Sequence, residues 1–201
     1  MGRWSRRAFV ILGMLLGCGG SRDGRPKSGE LDLSFNGVGF AVHDNAAGGQ
    51  LHDVALGVAI DSHGRIVAAG RSTRAGDPGD ITLWRYNPDG SLDPTFGPEQ
   101  RGFVIFANPG NDSSLAVALD PQGRIVVAGA DNQVVGGGHM ALWRYTESGV
   151  LDTTFGPAHA GVVFHGNAAG GNGGYGGAIV IDSMGRIIVA GFGLLAGIAG
   201  A

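Results

Sequence analysis

The chain has 201 residues, enough for one ordinary domain with a real core. Its 40 glycines lack the every-third-residue spacing of collagen, and an apolar share of 43% argues against disorder throughout. The formal charge is −3, and three of the 14 basic residues (Arg3, Arg6 and Arg7) lie in the first seventeen positions. The remainder carries 11 bases against 17 acids, or −6, which excludes the basic footprint of a nucleic-acid binder.

The N-terminal stretch MGRWSRRAFVILGMLLGCGGS places three arginines before an apolar run from Ala8 to Gly17. Ten helical residues rise about 15 Å, half of a ~30 Å hydrocarbon core, so residues 1–17 read as an export signal rather than a membrane span. Leu15-Leu16-Gly17-Cys18 resembles the lipobox of bacterial lipoproteins. That resemblance implies cleavage before Cys18 and a diacylglycerol on its sulfur. Cys18 is the single cysteine of the chain, so it has no internal disulfide partner, and lipidation accounts for it. More than one acyl chain makes such an anchor stable. Ser5-Arg6-Arg7-Ala8-Phe9 also resembles a twin-arginine signal; export before or after folding stays open. Gly19 follows the cysteine, where an aspartate would favour inner-membrane retention. The resemblance therefore implies the outer membrane or cell surface. Residues 18–29 form the lipidated cysteine and a flexible tether.

Three markers then recur. Leu-Asp begins at 31, 92 and 151; Gly-Arg-Ile at 64, 123 and 185; Trp-Arg-Tyr at 84 and 143. The shared period is about 60 residues, which points to a solenoid, propeller or array. The units are 30–90, 91–149 and a partial third at 150–201. Each contains four strand candidates. In the first these are 38–43, then Val54 to Ile60, then IVAAG at 66–70, then ITLWRYN at 81–87. Asp-x-x-Gly-Arg turns at 61–65, 120–124 and 182–186 join the second and third strands; Asp opens such a turn and Gly supplies the positive φ. The middle strands alternate large with small, not apolar with polar, so both faces are expected to be covered. With no helical pattern to supply the cover, the fold class is all-β, with tandem four-stranded antiparallel sheets stacked like propeller blades. The phrases GELDLSFN, GSLDPTFG and GVLDTTFG would join one unit to the next, with Phe35, Phe96 and Phe155 as plugs.

The runs at 64–97 and 123–156 resemble the bacterial delta-60 repeat proteins. The resemblance covers most of residues 30–191. It implies a β-propeller-like fold, frequent export and no shared activity. A third Trp-Arg-Tyr is due near 203–205, past residue 201, and FGLLAGIAGA matches neither earlier copy. Two units and part of a third fall short of four to eight blades, so the array is expected either to self-associate through open blade edges or to be a truncated product.

Repetition also filters the chemistry. Asp32, Asp93 and Asp152, Asp61, Asp120 and Asp182, and Arg65, Arg124 and Arg186 recur, which marks them as turn and ladder residues; Arg85 and Arg144 are expected to pair with such acids. Asn87, Asp89 and Asp93 show part of a calcium-loop pattern that the second unit breaks. His43 and His165 occupy one strand position, where the second unit has Phe106. His63 and His139 lack the i, i+4 histidine or cysteine partners of a metal site. No nucleophile elbow, P-loop or dinucleotide fingerprint appears in context, so no metal, cofactor or catalytic residue is assigned. The units differ at 71–80 and 130–139. Arg71, Arg74, Asp77, Asp80, Asp131, Asn132, Gln133 and His139 are the candidate ligand-binding loop residues. The expected function is a lipid-anchored envelope protein with a binding or structural repeat module, its membrane partner reached through Cys18. The alternatives are an exported hydrolase-like enzyme and a fragment with no function of its own.

Overall fold

The computed structural model describes residues 10–13, 29–48, 52–74, 77–106, 112–131, 138–166 and 170–195. Twelve strands run along them: β1 Val10–Gly13, β2 Phe40–His43, β3 Asp53–Ile60, β4 Ile66–Arg74, β5 Asp77–Tyr86, β6 Phe103–Phe106, β7 Ser113–Leu119, β8 Ile125–Asp131, β9 His139–Tyr145, β10 Val162–His165, β11 Gly170–Ile181 and β12 Ile187–Leu195. There is no helix among the described residues, hence none long and apolar enough to cross a membrane. The fold is all-β. Two four-stranded antiparallel meanders, β3-β4-β5-β6 (blade 1) and β7-β8-β9-β10 (blade 2), are followed by the two-stranded start of a third, β11-β12.

The turn chemistry is the expected one. In each Asp-x-x-Gly-Arg turn the Asp Oδ1 accepts the amides two and four residues on, and the arginine Nε returns to Oδ2. Gly64, Gly123 and Gly185 sit at φ +76, +76 and +77, where a side chain would be strained.

The grouping of strands differs from the expected one. The segment at 38–43 is not the first strand of blade 1; as β2 it pairs with β1, and blade 1 closes on β6 instead. The cause is the Leu-Asp-x-x-Phe-Gly phrase. After β5 the chain turns, Leu92 bridges back to Tyr86, Asp93 N donates to Arg85 O, and Arg85 N donates to Gly102 O. The phrase therefore folds the chain back along the strand just made and delivers the next strand to its edge, so sequence unit and sheet are one strand out of phase. β2, β6 and β10 are equivalent outer strands.

Two apolar layers hold the blades. One lies between blades 1 and 2 and contains Val67, Ala69, Leu83 and Phe96 against Val117, Ile125, Val127, Trp143 and Tyr145. The other sets Phe35, Ala41 and Ala46 from the β2 segment against Ile66, Ala68, Trp84 and Tyr86. The alternation of large and small side chains serves this stacking: a Cβ on Gly57 would stand 3.0 Å from the Ala116 Cα, so the small face of β3 lets blade 2 approach. Phe35 and Phe96 are buried plugs, each against the glycine of the turn that ends its own unit, Gly90 or Gly149. Phe155 is only half-buried, with no such turn beside it among the described residues. Coverage on both faces is complete in the middle of the stack but not at its ends. Leu56, Val58 and Ile60 on blade 1 and Val180, Ile188 and Phe192 on β11-β12 remain exposed.

Candidate functional site

The recurring charged residues are bonded within the scaffold. Arg85 Nε meets Asp93 Oδ2 at 2.7 Å with both side chains buried, and Arg144 meets Asp152 at 2.8 Å in a more open setting. Each guanidinium also lies 4.5 Å over its phenylalanine plug, Phe96 or Phe155. Burial pushes the Asp93 carboxyl up, but hydrogen bonds from Thr95 and the Arg85 charge outweigh it and hold the group below its ordinary value. For Asp152 the Thr154 hydroxyl is the leading cause of a lowered value. The hinted calcium loop is occupied in the same way: Asp89 Oδ1 accepts the Ser91 amide and hydroxyl, and Asp93 serves Thr95 and Arg85.

The candidate loop residues prove to be largely strand residues. Arg71 stands on β4 between Val54 and Ile81, Arg74 and Asp77 pair at the tip of the β4–β5 hairpin, and Asp80 is buried opposite Ser72. Asp131 is buried opposite a half-buried His139 on β8–β9. The hairpin ladders run further toward their tips than the turn-rich sequence suggested, because each added rung satisfies backbone groups. Asn132 and Gln133 lie outside the described residues, as does Cys18. The two units do not repeat this rung: Asp53, Ser72 and Asp80 in blade 1 correspond to Asp112, Asp131 and His139 in blade 2. The blades meet here through Asp112 N, which donates to Gly79 O at 3.2 Å. Asp53 and Asp112, eight residues before the turn aspartates, are buried acids that sequence reasoning passed over. Their shared offset from Asp61 and Asp120 was the available signal. Asp53 Oδ2 accepts the amides of Asn45 and Ala46, which tethers the β2 segment to blade 1.

A second polar region lies at the opposite, turn end. A groove of ≈ 440 Å³ runs between the blade 1 and blade 2 turns, lined by Ile60, His63, Leu119, Pro121 and Gln122 and rimmed by Glu147. Asp61, His63 and Glu147 each bring one ligand-type atom within 4.8 Å of the others. His63 thus has neighbours after all, one of them from a strand connection 84 residues away, beyond the reach of local spacing. These three residues could hold a metal ion, but Arg65 already binds both carboxylates, Asp61 Oδ2 at 2.6 Å and Glu147 Oε1 across the blade junction. Burial alone would raise the Asp61 carboxyl, yet the Arg65 and His63 hydrogen bonds and the Arg65 charge bring it below its ordinary value. A guanidinium between two carboxylates repels a cation, so the arrangement acts first as a clasp: Asp61–Arg65–Glu147 on one side, and on the other Arg85 donating to Glu147 O at 2.6 Å.

His43, on β2, belongs to the junction with blade 1. Trp84 Nε1 donates to His43 Nδ1 at 3.2 Å, and the imidazole also leans on Phe103. Burial holds its pKa below 6.5 against the opposing pull of Asp53 and Asp44. The equivalent Phe106 meets Trp143 edge-on at 6.3 Å, and Trp143 Nε1 is buried without a hydrogen-bond acceptor. Burial, with nearby Asp53 and Asp112 respectively, pushes the phenols of Tyr86 and Tyr145 upward, so both stay protonated.

None of the curated proteins matches the chain. A family model described as a domain of unknown function (DUF5122) beta-propeller matches residues 63–96 and 121–155. Each matched segment begins in the Asp-x-x-Gly-Arg turn, passes through the Trp-Arg-Tyr strand and ends at the Phe plug. The match and the two four-stranded sheets together support a propeller-like repeat.

Proposed function

We propose that the chain is an exported, lipid-anchored envelope protein whose propeller-like module serves binding or structural roles, with no catalysis of its own. The observation that carries this reading is the commitment of the charged repeat residues to the scaffold, in the Asp61–Arg65, Asp120–Arg124, Asp182–Arg186, Arg85–Asp93 and Arg144–Asp152 pairs. What varies between units is the rung at Asp80, Asp131 and His139, and the segments 71–80 and 130–139 around it are proposed as the ligand-binding part of the module. The anchor is Cys18, preceded by the arginine-rich apolar start and followed by the tether. The stack's open ends make self-association part of the same reading. Labelling cells with radioactive palmitate tests the anchor: the protein is expected to carry label that Cys18→Ala abolishes, and undiminished label in the variant would refute it.

The Asp61, His63 and Glu147 group favours a second reading, an exported hydrolase using a metal-bound water in the inter-blade groove. It requires Arg65 to release both carboxylates. Calorimetric titration with zinc chloride separates the two: binding lost in His63→Ala would favour the enzyme, and absence of binding would remove this version of it.

A further inference from the structure

We propose that the two open ends of the stack bind each other in a second copy of this chain, β11-β12 of one copy seating on β3 of the next. The proposal rests on the propeller-module reading and gives its self-association a defined pair of surfaces.

Val58 and Ile60 of blade 1 correspond, by position in the repeat, to Val117 and Leu119 of blade 2. There Val117 is buried and Leu119 is packed against blade 1, whereas Val58 and Ile60 are 56% and 63% exposed. At the other end, Val180 and Ile188 correspond to Ala59 and Val67 of blade 1. Those pack into the junction with blade 2, whereas Val180 and Ile188 are 58% and 52% exposed. The exposed residues are therefore the two halves of an interface that the chain itself builds between blades 1 and 2. It builds a further junction where Gly176 of β11 comes close to Ala128 of β8 and Met140 of β9. A surface that recurs in register inside one chain is already complementary to its counterpart on another.

The two ends also match in shape. β1-β2 covers the outer part of blade 1's front face, with β1 paired to β2 as β5 pairs to β6: Gly13↔Phe40 to Val10↔His43 matches Trp84↔Phe103 to Ile81↔Phe106. This is the third-and-fourth-strand half of a blade. β11-β12 is the first-and-second-strand half. β11-β12 of one copy then takes the first-and-second-strand place beside this half and covers Leu56, Val58 and Ile60. The face contact itself uses only β3, β11 and β12, all within the part that cleavage before Cys18 would leave.

Sedimentation equilibrium of the full chain tests this, with Val58→Glu on one face and Ile188→Glu on the other. Both positions are exposed in one copy, so each variant is expected to keep the far-UV β spectrum while its midpoint concentration for association rises roughly tenfold or more. Mixed together, the two variants regain a two-chain species, because each retains the face that the other lacks. Val58→Thr and Phe192→Ser repeat the comparison with smaller changes. Three results would overturn the proposal: a wild-type monomer at all concentrations, dimerisation sensitive to one face alone, or no recovery on mixing. Each leaves the module reading intact. A chain without a β spectrum would instead remove the module reading, and this proposal with it.

Discussion

The junction between β2 and blade 1 depends on one hydrogen bond that its sister junction lacks, and the contrast sets a magnitude. Replacing His43 by Phe gives Trp84 the environment of Trp143, a buried indole N–H beside an aromatic edge with no acceptor. Leaving a buried donor unsatisfied costs about 1–3 kcal/mol, and the new edge-to-face aromatic pair returns about 0.5–1.5 kcal/mol. The net expectation for His43→Phe is a loss of about 1 kcal/mol. In the background of Trp84→Phe no donor remains, so the same change should be neutral or favourable, giving a coupling of about 1 kcal/mol in a double-mutant cycle. Urea denaturation followed by tryptophan emission is the assay. The bond also has a pH signature. Nδ1 accepts only when it carries no proton, and the folded pKa of His43 lies below 6.5. The unfolded chain then binds the proton first, so wild-type stability falls as pH drops below 6.5 and levels off once the folded pKa is passed. His43→Phe should lack that component of the slope. A coupling within about 0.3 kcal/mol of zero, the usual scatter of additivity, would refute the reasoning.

Two further outcomes follow from the ion pairs. Arg85→Ala strands the buried Asp93 carboxylate and removes the bond to Glu147 O, so a loss of about 3–5 kcal/mol is expected in the same urea assay; Arg144→Ala, at the more open pair, should cost clearly less. The carboxyls of Asp61, Asp93 and Asp152 all have folded values below 3.8. Their contribution is present above the unfolded value and is lost as pH falls through the folded ones. Acid titration by circular dichroism should show unfolding that begins below about pH 4, and Asp93→Asn should flatten it.

Much of the fold was legible in the sequence because its signals are local and repeated. Asp61 and Gly64 specify a turn from within four residues, and Phe96 beside Gly97, repeated as Phe155 beside Gly156, marks a junction. The phase of the sheets was not legible. The strand at 103–106 and the strand at 38–43 look alike, and only the fold-back of the phrase, through Leu92 on Tyr86 and Arg85 on Gly102, decides which sheet each one joins. Cross-unit chemistry was hidden for a related reason. Glu147 reaches Arg65 and His63 only because blade 2 stacks on blade 1, and no spacing rule along the chain predicts a partner more than eighty residues away. The non-repeating rung at Asp80, Asp131 and His139 was visible as a difference between units, but its burial follows from ladders that extend beyond the apolar core.

Each blade ends on the strand after the Leu-Asp-x-x-Phe-Gly phrase, and the whole architecture turns on that phase. Paired cysteines test it most directly, in a Cys18→Ala background that leaves only the introduced thiols. Bridges are sought at Thr82/Ile105 and Leu83/Val104, two adjacent rungs because only one has the closer antiparallel spacing, with Ala69/Leu83 as the control within β4–β5. An oxidised bridge between β5 and β6 is expected in one of the two registers. A control bridge that forms while both β5–β6 pairs stay reduced would contradict this phase.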